Sequence, residues 1–230
     1  MNSTLVYTVN PLPHSLLNFV FDFGNLEKED EIRYIESIIS ESINKIFNEN
    51  KENSVENDLK IIHSFAKDMI VCAHNFIRDN NDVSSVSLRE IIRFNIFYEF
   101  FFKYLKNKKE INYDSNENKQ IDGGDKFYKG LNYFSLQIYS IILSVFVCYY
   151  LRITNFKTRE ELKIKLNNII KNYDERFKDI DFIKVPEKEE LYVVYNIKLG
   201  KGIAKNRALL DNVFSLFVAI NNKVPIFIVG

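Results

Sequence analysis

The chain has 230 residues, of which 46% are hydrophobic and 14% aromatic. That is enough apolar surface to bury a core as one large domain or two small ones, and it excludes an intrinsically disordered chain. Lysine plus arginine equal aspartate plus glutamate at 31 each, so the formal net charge is zero and the basic excess typical of nucleic-acid binding is missing. Asparagine and lysine are abundant throughout, a bias that carries no functional weight by itself. The two cysteines, Cys72 and Cys148, sit inside apolar runs, and Met1 to Asn10 contains neither a basic start nor a long apolar core. The expected setting is the reducing cytoplasm.

In chain order, Leu5 to Val9 alternates like a strand and is stopped by Pro11 and Pro13. Ser15 to Gly24 is apolar and aromatic. From Glu27 to Phe47, Ile32, Ile35, Ile38, Ile39, Ile43 and Ile46 recur at steps of three and four, which predicts a helix. The polar run Asn48 to Asp58 predicts a loop. Leu59 to Arg78 predicts a second helix buried through Ile62, Phe65, Ala66, Met69, Ile70, Ala73 and Ile77. Ser87 with Glu90 three residues later forms a capping box for a third helix, which runs through Ile91, Ile92, Ile96 and Phe97 to about Leu105. Asn107 to Lys126, charged and asparagine-rich with Gly123-Gly124 as a turn, reads as a disordered insertion.

Leu131 to Leu151 has no charged residue over 21 positions, a length able to span a bilayer. Gln137, Ser140 and Ser144 form a polar stripe along it, which suits a buried helix with one polar contact face. Arg159 to Tyr173 predicts another amphipathic helix. Glu190 to Ile197, ELYVVYNI, reads as a strand, followed by Gly200 and Gly202 and then a helix over Asn206 to Ile220. Pro225 to Val229 reads as a short buried strand ending at Gly230. No internal repeat is evident.

Few residues suggest chemistry. A buried strand ending in glycine is how a phosphate-binding loop begins, although such strands are common. Leu199 to Asn206, LGKGIAKN, has the first two glycines of a dinucleotide loop, but Lys205 stands at the third. His63, Cys72 and His74 are close in sequence, yet on a helix Cys72 points away from His74, so no metal site is expected. Arg89 and Arg93, one turn apart, suit a solvated or salt-bridged helix face. No Ser–His–Asp arrangement and no recognisable carboxylate pair is present.

Three segments taken together carry a resemblance. YTVNPLPHSLLNFVFDFGNLEKEDEIRYI (Tyr7 to Ile35), VSLREIIRFNIFYEFF (Val86 to Phe101) and GIAKNRALLDNVFSLFVAINNKVPIFIVG (Gly202 to Gly230) resemble the mysterin family of giant AAA+ ubiquitin ligases, and FVCYYLRI (Phe146 to Ile153) fits the same pattern. The resemblance implies a mainly α fold: a helical AAA+ lid-type bundle with a short α/β C-terminal piece, its strands near 190–197 and 224–229. By domains, 1–26 is an incoming strand and linker, and 27–178 is a helical lid with disordered insertions near 48–58 and 107–126. Residues 179–230 then open the large subdomain of a following module, ending before its P-loop.

By position, Arg89 becomes a sensor-2-type arginine facing the γ-phosphate of the preceding module. Ile203 and Ala204 lie near the adenine of the next, and Gly230 leads into its Walker A loop. ATP and Mg are the cofactors of the full-length parent, with none expected for this chain alone. Neighbouring AAA+ modules are the implied partners, without nucleic acid and without a membrane. The Walker A lysine, Walker B acidic pair and RING zinc ligands are absent from the sequence, so ATP hydrolysis and ubiquitin transfer belong to the parent. The alternatives are a free-standing helical interaction protein and a membrane-anchored protein using 131–151.

Overall fold

The computed structural model describes residues 10–21, 26–50, 55–80, 85–114, 131–197, 200 and 202–227. Its helices are α1 (His14–Leu17), α2 (Lys28–Glu49), α3 (Glu56–Asn80), α4 (Leu88–Asp114), α5 (Tyr133–Cys148), α6 (Phe156–Tyr173), α7 (Lys184–Asn196) and α8 (Arg207–Asn221). Short 3-10 turns at Tyr150–Arg152 and Glu175–Phe177 link the later helices.

The uncharged stretch forms α5, and it sits at the centre. Ile138, Ile141, Ile142, Leu143, Val145 and Phe146 are all fully buried. A helix apolar on every side has to be surrounded. Helix α4 lies along it most extensively, and α3 and α7 cover other faces. Helix α2 packs on α3 and α4, α6 packs on α3, and α8 pairs with α7. Among the described residues only Tyr133–Arg152, α5 with the turn that follows it, is long and apolar enough to cross a membrane, and 78% of its apolar window is buried by the rest of the protein. The expected polar stripe is not a shared contact face. Ser140 and Ser144 donate back to the carbonyls of Leu136 and Ser140, at 2.6 and 2.7 Å, while Gln137 alone reaches outward to accept from the Tyr98 hydroxyl.

The periodic faces of α2 and α3 are buried as their spacing requires, through Ile35, Ile39, Ile43 and Ile46 and through Ile62 to Ile77. In α4 the reading divides. Ile91 and Phe97 enter the core, whereas Ile92 and Ile96 are exposed. Asparagines finish many of these helices. Asn132, Asn155 and Asn206 accept from the first-turn amides of α5, α6 and α8. At the other ends Asn50, Asn80, Asn196, Asn221 and Asn222 donate to carbonyls four residues back. Both roles satisfy groups that a helix terminus leaves unpaired.

Among the described residues there is no strand, which corrects the expected α/β piece. Residues 190–197 are β-branched and aromatic, but 190–196 complete α7. Its buried positions are Val185, Pro186, Glu189, Glu190, Val193 and Val194, a helical repeat of adjacent pairs four apart. Two of those positions are glutamates with cationic partners on other helices, so tertiary pairing overrides local β propensity. Residues 224–227 have no strand to pair with. They follow a helix-terminating turn in which Lys223 takes φ 54° and the amides of Lys223 and Val224 return to Ile220 and Ala219. LGKGIAKN accordingly follows a helix and not a strand, which removes the context of a dinucleotide loop.

Parts of the two expected insertions lie within helices. Residues 48–49 and 56–58 are helical, and 107–114 continue α4. There Lys108 pairs with Glu189 at 2.6 Å and Lys109 donates to the Leu131 carbonyl at 2.6 Å. The expected strand at Leu5 to Val9, the turn at Gly123-Gly124 and the last residues 228–230 lie outside the described residues. One hydrophobic cluster runs across position 178, joining Ile183, Val185, Val193, Phe214 and Val218 to the α5 core.

Replacing Ile141, fully buried in α5, by alanine should cost about 2–5 kcal/mol in urea unfolding. Phe156→Ala, at a side chain 74% exposed, should change stability by less than about 0.5 kcal/mol.

Candidate functional site

The site with the most converging charge is the start of α4. Ser87 is its N-cap residue. The Ser87 amide donates to Glu90 Oε2 at 2.8 Å, the Ser87 hydroxyl donates to the same oxygen at 3.0 Å, and the Arg89 amide donates to Ser87 Oγ at 3.3 Å. This is the capping box that the spacing of Ser87 and Glu90 predicted. Two arginines from other elements hold the chain just ahead of it. Arg152, after α5, donates to the Ser85 carbonyl at 2.8 Å and meets Glu90 at 3.0 Å. Arg78, at the end of α3, donates to the Val86 carbonyl at 3.4 Å and grips Glu31 of α2 with two bonds of 2.6 and 2.8 Å.

Behind this clamp lies a buried histidine. His74 Nε2 is 3.4 Å from Glu31 Oε1, and its Nδ1 is 3.4 Å from the Tyr149 hydroxyl. Burial pushes the His74 pKa down and Arg78 adds to that, against Glu31 and Glu90. Burial likewise holds the Tyr149 hydroxyl and the Cys148 thiol well above their usual values. For Glu90, burial favours the neutral acid, but the Ser87 amide, Arg152 and the Ser87 hydroxyl outweigh it, and the pKa falls below the usual 4.5.

Arg89 and Arg93 have different surroundings. Arg93 is 3.3 Å from Glu90, the salt-bridged helix face of the simpler reading. The Arg89 side chain is exposed in the first turn of α4, with no hydrogen bond or ion pair to any described residue. Ile203, 49% exposed, and Ala204, also exposed, sit in the connection between α7 and α8, where Gly202 takes φ 88°. No interaction among the described residues joins them to Arg89, and Gly230 lies outside the described residues.

His63 and His74 share the α2-facing side of α3 but have separate partners. His63 meets Ser40 at 3.3 Å and Asn44 at 3.0 Å. Among the described residues no three His, Cys, Asp or Glu side chains are grouped to hold a metal. Two features escaped the sequence reading. Arg78, Arg152 and Glu31 act on the α4 cap from three separate elements, which no local spacing reveals. The exposed Ile92 and Ile96 line an open groove of about 590 Å³ between α2 and α4, with Tyr34, Ile38 and Phe100. Glu41, Asn95, Glu99, Lys103 and Asn222 supply its polar side chains.

Three comparisons place the chain among known proteins. No family model matches it, and no solved structure matches it. Curated proteins that match along nearly all of it include E3 ubiquitin-protein ligase RNF213 of Homo sapiens at 29% identity, E3 ubiquitin-protein ligase rnf213-beta of Danio rerio at 27%, and E3 ubiquitin-protein ligase RNF213 of Mus musculus at 25%. Each alignment covers 98% of this chain, and the chain spans about 4% of the length of each relative.

The Glu90 clamp predicts a defined acid response. The depressed pKa gives stability that is present above pH 4.5 and lost as the pH falls through the lower folded value. Glu90→Gln should flatten that acid limb in a series of urea titrations. Glu90→Ala should cost about 1–3 kcal/mol at pH 7, because it removes both the cap and the partner of Arg152.

Proposed function

Since the chain belongs to the mysterin family, we propose that it is a non-catalytic segment coupling ATP binding and hydrolysis between adjacent AAA+ modules of a mysterin-like ATPase and ubiquitin ligase. The helices within 27–178 serve as the lid of one module, and 179–230 lead into the next. The observation that carries this reading is Arg89. It is the exposed guanidinium without a described partner, on the first turn of a long helix whose cap is anchored from behind by Arg78 and Arg152.

An arginine so placed offers planar, bidentate bonding to an incoming phosphate, and the helix start adds favourable potential for negative charge. Because Arg78 and Arg152 belong to α3 and the segment after α5, a force on Arg89 passes into the bundle and not into a loose loop. The residues fit a share of each of two ATP sites and not the whole of either. Arg89 supplies one phosphate contact to the site of the preceding module, exposed Ile203 and Ala204 supply apolar surface suited to the adenine of the next, and the phosphate loops and Mg ligands come from neighbouring modules. Those modules are the partners, in the cytoplasm.

Arg89→Ala, placed in a protein that carries the preceding module, should lower ATP turnover about 100- to 1,000-fold. Its thermal unfolding should stay unchanged, since Arg89 is exposed. Unchanged turnover would sink the assignment. The 230-residue chain by itself should give no heat of ATP binding in calorimetry, and micromolar affinity would contradict the role.

A further inference from the structure

A second charged cluster joins α6, α7 and α8, and the reading of Arg89 makes no use of it. The Glu190 side chain on α7 is fully buried, and Arg207 of α8 approaches its two oxygens at 3.0 and 3.3 Å. The same guanidinium lies 2.8 Å from Asp211, and Arg159 of α6 takes the other Asp211 oxygen at 2.6 Å. Glu187 lies 3.6 Å from Arg207 at the outer margin. The carboxyl groups of Glu190 and Asp211 therefore meet at the one Arg207 guanidinium.

Charge and donor counts in the cluster do not close with every acid ionised. Three carboxylates would face two guanidiniums, with two of the carboxylates buried side by side. Glu190 Oε2 and Asp211 Oδ1 are both buried and neither receives an aligned hydrogen bond, although Arg207 is near each. A proton on Glu190 cures both faults. It removes the surplus negative charge and supplies the donor that two adjacent acceptors lack.

We propose that Glu190 and Asp211 share one proton, and that this proton locks the α7–α8 hairpin onto α6, so that the hairpin loosens when the proton leaves. The surroundings agree. Burial pushes the Glu190 pKa up, Arg207 pulls it back, and Asp211 and Glu187 push it further, to about 8. On α7, Glu189 is neutralised by Lys108 of α4 at 2.6 Å. The 3-10 turn presents Tyr150, whose ring faces Arg159, and α5 presents the apolar ring of Phe146 beneath Arg207. Because the folded value lies above the ordinary 4.5, the stabilisation is complete below pH 4.5 and declines up to about pH 8, above which it is gone.

The test compares the full chain with its Glu190→Gln variant, in which an amide replaces the protonated acid at the same size. Urea unfolding between pH 5 and 8 should show the parent losing up to about tenfold per pH unit in folding equilibrium constant relative to the variant. Amide hydrogen exchange in α8, corrected for intrinsic rates, should speed up between pH 5 and 8 and level off above that in the parent alone. Parallel pH profiles for the two proteins would overturn the proposal. Should the variant not fold, infrared titration of the parent labelled with carbon-13 glutamate decides the matter. A protonated glutamate band that persists at pH 7 and vanishes near pH 8 to 9 supports the shared proton, and its absence at pH 7 refutes it.

Discussion

Everything in this fold is arranged around the need to cover α5. A helix without a single charge from Tyr133 to Cys148 exposes apolar surface in every direction, and each buried aliphatic side chain stabilises the folded state by about 1.5–3 kcal/mol. Three helices, α3, α4 and α7, supply most of that cover, while α2 and α8 also reach α5, through the Ile46 carbonyl and Phe214. The aromatic side chains fill the remaining space. Phe146 packs against Tyr150, Phe182 and Phe214, so that segments far apart in sequence share one cluster.

Covering such a helix brings charged side chains inward, and the protein resolves them into three separate groups. At the start of α4, Glu31 and Glu90 are paired with Arg78 and Arg152. Near the far end of α4, Lys108 meets Glu189 and lies over the rings of Tyr104 and Tyr192. Between α6, α7 and α8, Arg159 and Arg207 hold Asp211 and Glu190. Such pairs add little net stability against an apolar replacement, but each is costly to break from one side. They therefore fix which helix end lies beside which, something a uniformly apolar interface leaves open. The same constraint frames the function proposed for Arg89. A guanidinium can report on a bound phosphate only if its own helix start is held rigidly, and the Arg78 and Arg152 clamps do that.

Much of the helical content was legible in the sequence because it rests on periodicity. The isoleucines of α2 and the apolar face of α3 are buried where their spacing puts them, and the Ser87–Glu90 cap forms as written. The candidate site was legible only in part. Arg89 was named from its segment, but its freedom from partners depends on Glu90 being occupied by Arg93 and Arg152 instead. The groove was hidden because Ile92 and Ile96 look like core residues until α2 is placed beside them.

The sequence by itself determined which segments are helical wherever apolar residues recur at three and four, and that Ser87 and Glu90 cap one of them, but it left open whether the uncharged stretch Leu131 to Leu151 is covered by protein or by a bilayer. Its match to RNF213 proteins along 98% of its length also needs no coordinates. Only the tertiary structure decided the state of ELYVVYNI, whose side chains favour a strand taken alone. It is helical because Glu189 and Glu190 must meet Lys108 and Arg207 while Val193 and Val194 are buried, and a helix puts all four on one side. Local preference spans at most about 1 kcal/mol per residue and changes with context, whereas a buried charge that loses its partner costs roughly 3–5 kcal/mol. The long-range pairing therefore wins.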